Sequence, residues 1–314
     1  MPHSYTTYDT FIKLARMTQK QLRKTLPILL RKKDYKPVVT KDYIYAEGTI
    51  PIALVAHMDI VGKEPPQTLY YDPEQHIMWA GGHILGADDR AGITAILEII
   101  KHTELRPHII FTTDEEVGGI GASMLSSCRN PFKQLHYLIE LDRQGEKDCV
   151  FYDCDNEEFV HYVSSFGFES DWGTFTDISV ICPSWDVAGV NLSVGYSYEH
   201  TKYEMLNFNY LDATIDRVIH MLSDANMRYF KYIPSPYVYK FTRGHECSFC
   251  GKYNQDLVEV SLSNKVMAFA CRSCVKKHKE IHKCDFCQGY FLTNDPQETV
   301  CKECQEEYMY VGGY

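Results

Sequence analysis

The sequence lacks an excess of positive charge and any long apolar run. Its 314 residues carry a formal net charge of −10 at pH 7, which argues against non-specific binding to nucleic acid or acidic membranes. No apolar run reaches the roughly 18 residues of a membrane-spanning helix. The first residues are polar and lack the apolar core of a signal peptide. We therefore expect a cytoplasmic protein that binds neither membranes nor nucleic acid.

Composition and length predict a globular protein with two domains. The hydrophobic fraction is 45%, which is ordinary for a globular chain. The length suits one sizeable domain and a smaller one. Pro234 and Pro236 mark a change in composition. We expect a larger domain over residues 1–232, a linker over 233–240 and a cysteine-rich domain over 241–314.

Eight of the 12 cysteines fall in four C-x-x-C pairs near the C-terminal end. The pairs are Cys247 and Cys250, Cys271 and Cys274, Cys284 and Cys287, and Cys301 and Cys304. Each pair presents two thiolates from one tight turn, and two pairs complete a tetrahedral zinc site. Redox-active pairs are the alternative, but no thioredoxin-like pattern surrounds them. We predict two structural zinc ions; the spacing leaves open whether the pairs combine sequentially or in a cross-braced order.

Two adjacent carboxylates, Glu115 and Glu116, follow the apolar run 108–111, which has the pattern of a buried strand. A glycine-rich turn, V-G-G-I-G, comes next. Side-by-side negative charges repel, and a divalent metal compensates them directly. One carboxylate can bind the metal while the other takes a proton from its water. The alternative is a solvated acidic loop.

Four more clusters of His, Asp and Glu lie at the edges of predicted elements. They are His57 with Asp59 after strand 52–56, Asp88 with Asp89 before helix 93–100, Asp142 at the end of strand 138–142, and Glu199 with His200 after strand 190–194. In an open α/β sheet, strand ends are where sites are built. A carboxylate two residues after a histidine can orient its ring. Imidazoles and carboxylates together are ligands that zinc accepts, and Co²⁺ or Mn²⁺ is an alternative.

The order H-M-D, G-A-D-D-R-A-G, T-D-E-E-V-G, E-L-D and E-H resembles that of the co-catalytic di-zinc exopeptidases. This superfamily includes bacterial leucyl aminopeptidases, tripeptidase T, glutamate carboxypeptidases and tetrahedral aminopeptidases. The resemblance covers about residues 40–225. It implies an α/β fold with a mixed, mostly parallel central sheet and helices on both faces. The short stretch between Asp142 and His200 leaves no room for a lid domain, so we expect a lidless member.

The resemblance also implies a role for each motif residue. It implies two catalytic zinc ions held by His57, Asp88, Glu116, Asp142 and His200, with Asp88 bridging them. Glu115 matches the general base, and Asp59 matches the acid behind His57. Thr176 and Asp177 resemble a pocket segment of some members. Trp79 is a further pocket candidate because its loop lies between Asp59 and Asp88; the alternative is that it only covers the sheet.

The expected activity is aminopeptidase hydrolysis of peptide bonds. A deacylase or carboxypeptidase activity of the same superfamily is one alternative. A protein- or nucleic-acid-binding zinc module on an inert hydrolase fold is another. The segment C-S-F-C-G-K at Cys247, with Cys271 and Cys274 downstream, resembles the zinc-binding domain of the ClpX unfoldase. That resemblance implies a small zinc-ribbon or treble-clef module that docks a substrate or a protein partner.

Local patterns predict several further elements. Residues 8–33 are expected to be helical with a break at Pro27. Glu47 and Gly48 are expected to turn a hairpin between strands 43–45 and 52–56. Residues 177–181 are expected to form a strand, and residues 207–229 a long closing helix.

Overall fold

The structure is a computed structural model that describes residues 6–62, 64–235, 247–252, 257–262, 266–285, 289–293, 295–302 and 304–305. The chain divides into two compact units, Met1–Pro236 and Tyr237–Tyr314. Among the described residues, no helix has the length and apolar character to span a membrane.

The first unit is built on a central sheet with strand order β1-β2-β6-β3-β7-β10-β8-β9. Its strands are β1 (Val38–Val39), β2 (Tyr43–Ala46), β3 (Ile50–His57), β6 (Pro107–Thr112), β7 (Tyr137–Arg143), β8 (Asp148–Val150), β9 (Glu169–Ser170) and β10 (Gly189–Ser193). The four central strands β6, β3, β7 and β10 are parallel, whereas β1, β2 and β8 pair antiparallel with their inner neighbours. The carboxyl ends of the central strands therefore meet at one edge of the sheet.

Helices cover both faces of this sheet. They are α1 (Thr7–Ala15), α2 (Gln19–Arg31), α3 (Ala87–His102), α4 (Ile120–Ser126), α5 (Glu157–Ser164), α6 (Asp177–Trp185) and α7 (Phe208–Ser223). Strand β3 shows the two faces, since alternate side chains of a strand point in opposite directions. Ile52 and Leu54 join the core with α1, α3 and α7, and Ala53 and Val55 join the core with α4 and α6. The expected α/β class with helices on both faces is confirmed.

A smaller sheet in the first unit has the order β11-β12-β5-β4. Its strands are β4 (Leu69–Asp72), β5 (Ile77–Ala80), β11 (Tyr196–Ser197) and β12 (Met205–Asn207). Strands β11 and β12 form an antiparallel pair whose connecting loop, residues 198–204, carries His200. This smaller sheet therefore holds both ends of the loop that carries His200.

The described residues of the second unit form a sheet of order β14-β13-β16-β15. Its elements are β13 (Leu257–Leu262), β14 (Val266–Cys271), α8 (Arg272–Lys277), β15 (Ile281–Lys283) and β16 (Tyr290–Leu292). Strands β13 and β14 form an antiparallel hairpin, as do β15 and β16. The parallel pairing of β13 with β16 joins the two hairpins into a single sheet.

Four local predictions are wrong, each for a physical reason. Residues 177–181 begin helix α6 because Thr176 and Ser179 form a capping box at its start. The N-terminal helices separate at Thr18, which caps α2 with Gln21, and Pro27 lies inside α2. Strand β2 pairs with β6 and not with β3, so Glu47 and Gly48 turn no hairpin. The closing helix α7 ends at Ser223, earlier than expected.

Candidate metal centre

His57 is the last residue of β3 and is fully buried. Its Nε2 lies 2.9 Å from Asp88 Oδ1 and 3.6 Å from Asp142 Oδ1. Its Nδ1 faces Asp59 Oδ1 at 3.3 Å, which is the position expected of a carboxylate that orients the ring. Nε2 of the ring therefore faces Asp88 and Asp142, and Nδ1 faces Asp59, its predicted partner.

His200 faces the other oxygen of Asp88. The His200 Nε2 atom lies 3.1 Å from Asp88 Oδ2 and 3.0 Å from Glu116 Oε1. The two oxygens of Asp88 thus belong to two neighbouring donor sets, one with His57 and Asp142 and the other with His200 and Glu116. All five predicted donors are brought together at the carboxyl edge of the central sheet.

These donor spacings fit zinc. Donors bound at about 2.0–2.1 Å to a tetrahedral zinc ion lie about 3.3 Å from one another. The distances from each histidine Nε2 to the carboxylate oxygens of its set run from 2.9 to 3.6 Å. Two imidazoles with carboxylate oxygens are also a donor combination that zinc accepts. The residues present therefore fit a pair of metal ions that share Asp88.

Close backbone approaches bring the donor segments together. A Cβ added to Gly92 on α3 would lie 2.0 Å from the carbonyl oxygen of Leu141, so only glycine lets the start of α3 pack against β7. A Cβ at Gly119 would lie 2.5 Å from the ring of Phe175, and Gly119 has a φ of +62°. Glycine is thus required at position 92 by a backbone contact. At position 119 it is favoured by the positive φ alone, because the Phe175 ring is an exposed side chain that can move aside.

Asp59 has a second function that the sequence did not reveal. Its Oδ1 accepts the N–H of Glu115 at 3.0 Å, and its Oδ2 accepts the N–H of Glu116 at 3.1 Å. Burial opposes ionisation of Asp59, but the His57 ring and these two N–H groups outweigh it and lower its pKa. This one carboxylate therefore ties the end of β3 to the turn that carries the general-base candidate.

Excess negative charge accumulates in this buried cluster. Burial, together with Asp142, Asp88 and Glu116 and against the attraction of His57, raises the pKa of Glu115 to about 8. Burial and Asp88 raise the pKa of Asp142 to about 7. Hydrogen bonding to Asp88 and Glu116 raises the pKa of His200 to about 11. Glu115, Asp142 and His200 thus hold their protons to a higher pH than usual. Such a response to neighbouring negative charge is typical of a site that binds a cation.

The sequence analysis assigned no supporting role to Asp89 and did not single out Asn191. Asp89 accepts the N–H of His57 at 3.1 Å and that of Gly92 at 2.8 Å. Asn191 accepts the N–H of Asp142 at 2.9 Å and donates to its carbonyl at 2.8 Å. Asn191 carried a usable signal, because a polar residue inside an apolar strand usually needs a buried partner.

Two more missed residues, Arg90 and Glu204, bind backbone groups near the donors. Arg90 is buried and donates to the carbonyl oxygens of Met58, Asp59 and Met17 at 2.9 to 3.0 Å. Glu204 accepts N–H groups at the start of α3. Neither contact has a local sequence signal, since each partner is distant along the chain.

The three pocket candidates lie in different settings. The Thr176 hydroxyl donates to Asp142 Oδ2 at 3.2 Å, so it contacts a candidate donor. Asp177 is fully buried and accepts a short hydrogen bond from the Thr112 hydroxyl; burial, then Glu115, raises its pKa to about 7. Trp79 lies in β5, is 39% exposed and stacks on Tyr70. Asp177 therefore lies beneath the cluster, and Trp79 lies on the smaller sheet of the first unit.

The cysteines of the second unit form two separate groups, in sequential order along the chain. The sulfur atoms of Cys247, Cys250, Cys271 and Cys274 lie within 4.8 Å of one another, as do those of Cys284, Cys301 and Cys304. Cys287, the remaining predicted ligand, lies outside the described residues.

Two thiols of the first cysteine group differ in acidity. Burial opposes ionisation of Cys247, but backbone N–H groups led by that of Cys271 outweigh it and lower the pKa of Cys247 to about 6. Burial and the neighbouring thiols raise the pKa of Cys274 to about 12. Four sulfurs this close together are a group that could hold a zinc ion.

Neither a protein-family model nor a curated protein sequence matches this chain, but solved structures do. A tripeptidase from Staphylococcus aureus has a TM-score of 0.56 at 15% identity, over 69% of this chain and 96% of that chain. Aminopeptidase PepT from Bacillus cereus gives 0.54 at 15% identity, over 69% and 97%. The TET1 peptidase of Pyrococcus horikoshii gives 0.52 at 17% identity, over 69% and 99%. At these identities the similarity shows the fold, so the expected zinc-exopeptidase fold is confirmed.

Proposed function

We propose that the chain is a zinc-dependent aminopeptidase whose second unit docks substrates or a partner. The proposal rests on the position of Asp88. Its Oδ1 lies 2.9 Å from His57 Nε2, and its Oδ2 lies 3.1 Å from His200 Nε2. His57 and Asp142 would hold one ion, and His200 and Glu116 the other. The peptidases that share this fold are consistent with that assignment.

Glu115 is the proposed general base. A pair of zinc ions held by these donors would polarise the scissile carbonyl and make a bound water more acidic. Glu115 would take the proton of that water at a carboxylate oxygen and deliver it to the leaving amine. Its backbone is fixed by Asp59, and its surroundings raise its pKa to about 8 in the absence of metal. Metal binding would lower that pKa and leave the carboxylate ready to accept a proton.

The arginines beside the cluster are already engaged by protein groups. Arg90 donates to backbone carbonyls, and Arg143 pairs with Asp171. Neither arginine is therefore free to bind the C-terminal carboxylate of a substrate. This favours an aminopeptidase over a carboxypeptidase.

The second unit is proposed to hold two structural zinc ions, one in each cysteine group, and to present a docking surface. A module of this size has little apolar core of its own, so its metals would supply much of its stability. The partner is proposed to be a protein or a peptide substrate, and the resemblance to the ClpX zinc-binding domain remains a prediction.

The test is hydrolysis measured on two substrate series with metal content determined on the same sample. Aminoacyl chromogenic substrates should be cleaved, and their N-acetylated counterparts should not. Cleavage of acyl-amino acids in preference to free aminoacyl substrates would instead support the deacylase alternative. No hydrolysis of either series by a chain that holds its metals would support the binding-module alternative.

A further inference from the structure

Glu204 is a fully buried carboxylate that the proposed chemistry does not use. It follows His200 by four residues and closes the loop 198–204 onto strand β12. Its Oε2 accepts the N–H of Gly86 at 2.8 Å, and its Oε1 accepts the N–H of Asp88 at 3.0 Å. Gly86 and Asp88 begin helix α3, so a carboxylate from a remote loop satisfies N–H groups that a helix start leaves unpaired.

The same residue is tied to His200 through its own loop. The N–H of Glu204 donates to the carbonyl of Thr201 at 3.2 Å, and the Thr201 hydroxyl donates to the carbonyl of Tyr198 at 2.7 Å. The loop is otherwise open to solvent, with Tyr198 61% and Tyr203 66% exposed. Glu204 is therefore the buried residue that attaches this exposed loop to the core.

Asp88 and His200 meet at 3.1 Å, although one lies on α3 and the other on an exposed loop. We infer that Glu204 is a positioning residue that holds the His200 loop against the Asp88 backbone and so sets the distance between these two donors. This inference rests on the proposed function, because it assigns Glu204 to the pair of metal ions that Asp88 would bridge. Groups that orient metal ligands typically change metal affinity by about 10- to 100-fold when removed.

Glu204→Gln is the discriminating substitution because it keeps the shape of the side chain. The amide oxygen can accept one N–H, but the amide nitrogen only donates and cannot accept the other. Glu98→Gln on the same helix is the matched control. Glu98 is also fully buried and accepts hydrogen bonds from the Thr6 N–H and the Thr10 hydroxyl. It lies ten positions along α3 from Asp88, about 15 Å away.

The measurement is the Co²⁺ affinity of the full-length chain whose cysteine sites have first been filled with zinc. Visible absorption detects the bound Co²⁺, and competition with a chelator gives its affinity. Glu204→Gln should weaken the more loosely held Co²⁺ ion by about 10- to 100-fold, and Glu98→Gln should leave it within about 2-fold while lowering only the unfolding temperature. Glu204→Asp keeps the charge on a shorter side chain and should recover part of the affinity.

Each alternative outcome has a distinct meaning. Unchanged Co²⁺ affinity in Glu204→Gln would overturn the positioning role while leaving the proposed function intact. Equal loss in Glu204→Gln and Glu98→Gln would also overturn it, because a general loss of stability would then explain both. If Glu204→Gln does not fold, Glu204→Asp decides alone, and wild-type affinity in that variant would count against the inference. Wild-type protein that binds no Co²⁺ outside the cysteine groups would overturn both the inference and the proposed function.

Discussion

The donors of the first unit come from five separate segments, at residues 57, 88, 116, 142 and 200, whereas those of the second unit come from short C-x-x-C turns. In the first unit, Asp59 and Asn191 fix the donors Glu116 and Asp142 by hydrogen bonds to their backbone. The donors rest on a large apolar core. In the second unit, the cysteines are themselves a large part of two small clusters. We therefore expect the first site to keep its shape without metal, and the second unit to depend on bound metal for its fold.

The largest expected effect separates chemistry from metal binding in the first unit. Glu115→Gln should lower kcat by about 100-fold or more, since a positioned general base is lost, while the metal content stays at the wild-type level. Glu116→Gln is the matched comparison on the neighbouring residue and should reduce metal content as well. Initial rates and atomic absorption on the same preparations measure both. Near wild-type turnover in Glu115→Gln would show that the base and ligand have been assigned to the wrong residues.

The second expected effect contrasts the two kinds of site under chelation. Graded chelator should remove the carboxylate-held ions first, because four thiolates fill every coordination position of a zinc ion and bind it tightly. Activity should then disappear while thiol reactivity and circular dichroism stay unchanged, and cysteine exposure should follow only at stronger chelation. Simultaneous loss of activity and rise of reactive thiols would contradict the presence of two kinds of site.

The smallest expected effect concerns the independence of the two units. A chain ending at residue 235 should fold and cleave a dipeptide-sized chromogenic substrate with a kcat/KM within about 2-fold of the full-length value, since every proposed donor and the base lie between residues 57 and 200. Activity on large or partner-delivered substrates should fall selectively, because a preformed docking surface lowers the cost of binding. A well-folded truncated chain that is inactive on the small substrate would make the second unit part of the active site.

Much of the site was predictable, because its donors follow strand ends. His57 and Asp142 lie directly after or at the end of apolar runs, and Glu116 lies in the turn that follows β6. Parallel strands bring such ends to one edge of the sheet. Glu204 was not predictable, since its partners Gly86 and Asp88 lie more than a hundred positions away in sequence and are backbone groups. Side chains that bind a distant backbone leave no periodic pattern.

Two of the errors in the fold have different causes. The alternation at residues 177–181 favours a strand, but Thr176 and Ser179 cap a helix there and the local hydrogen bonds prevail. The hairpin predicted at Glu47 and Gly48 assumed that strands adjacent in sequence pair with each other. Instead β6, which comes later in the chain, inserts between β2 and β3. Sequence patterns identify buried strands better than they identify partners.

The central claim is that Asp88 serves two ions at once. The most direct measurement is the number of metal ions per chain, outside the cysteine sites, in Asp88→Ala and Asp142→Ala, with circular dichroism to verify folding. Because both sets contain Asp88 but only one contains Asp142, Asp88→Ala should lose both ions, and Asp142→Ala should retain one. A folded Asp88→Ala chain that still holds one ion in this cluster would contradict the bridging role.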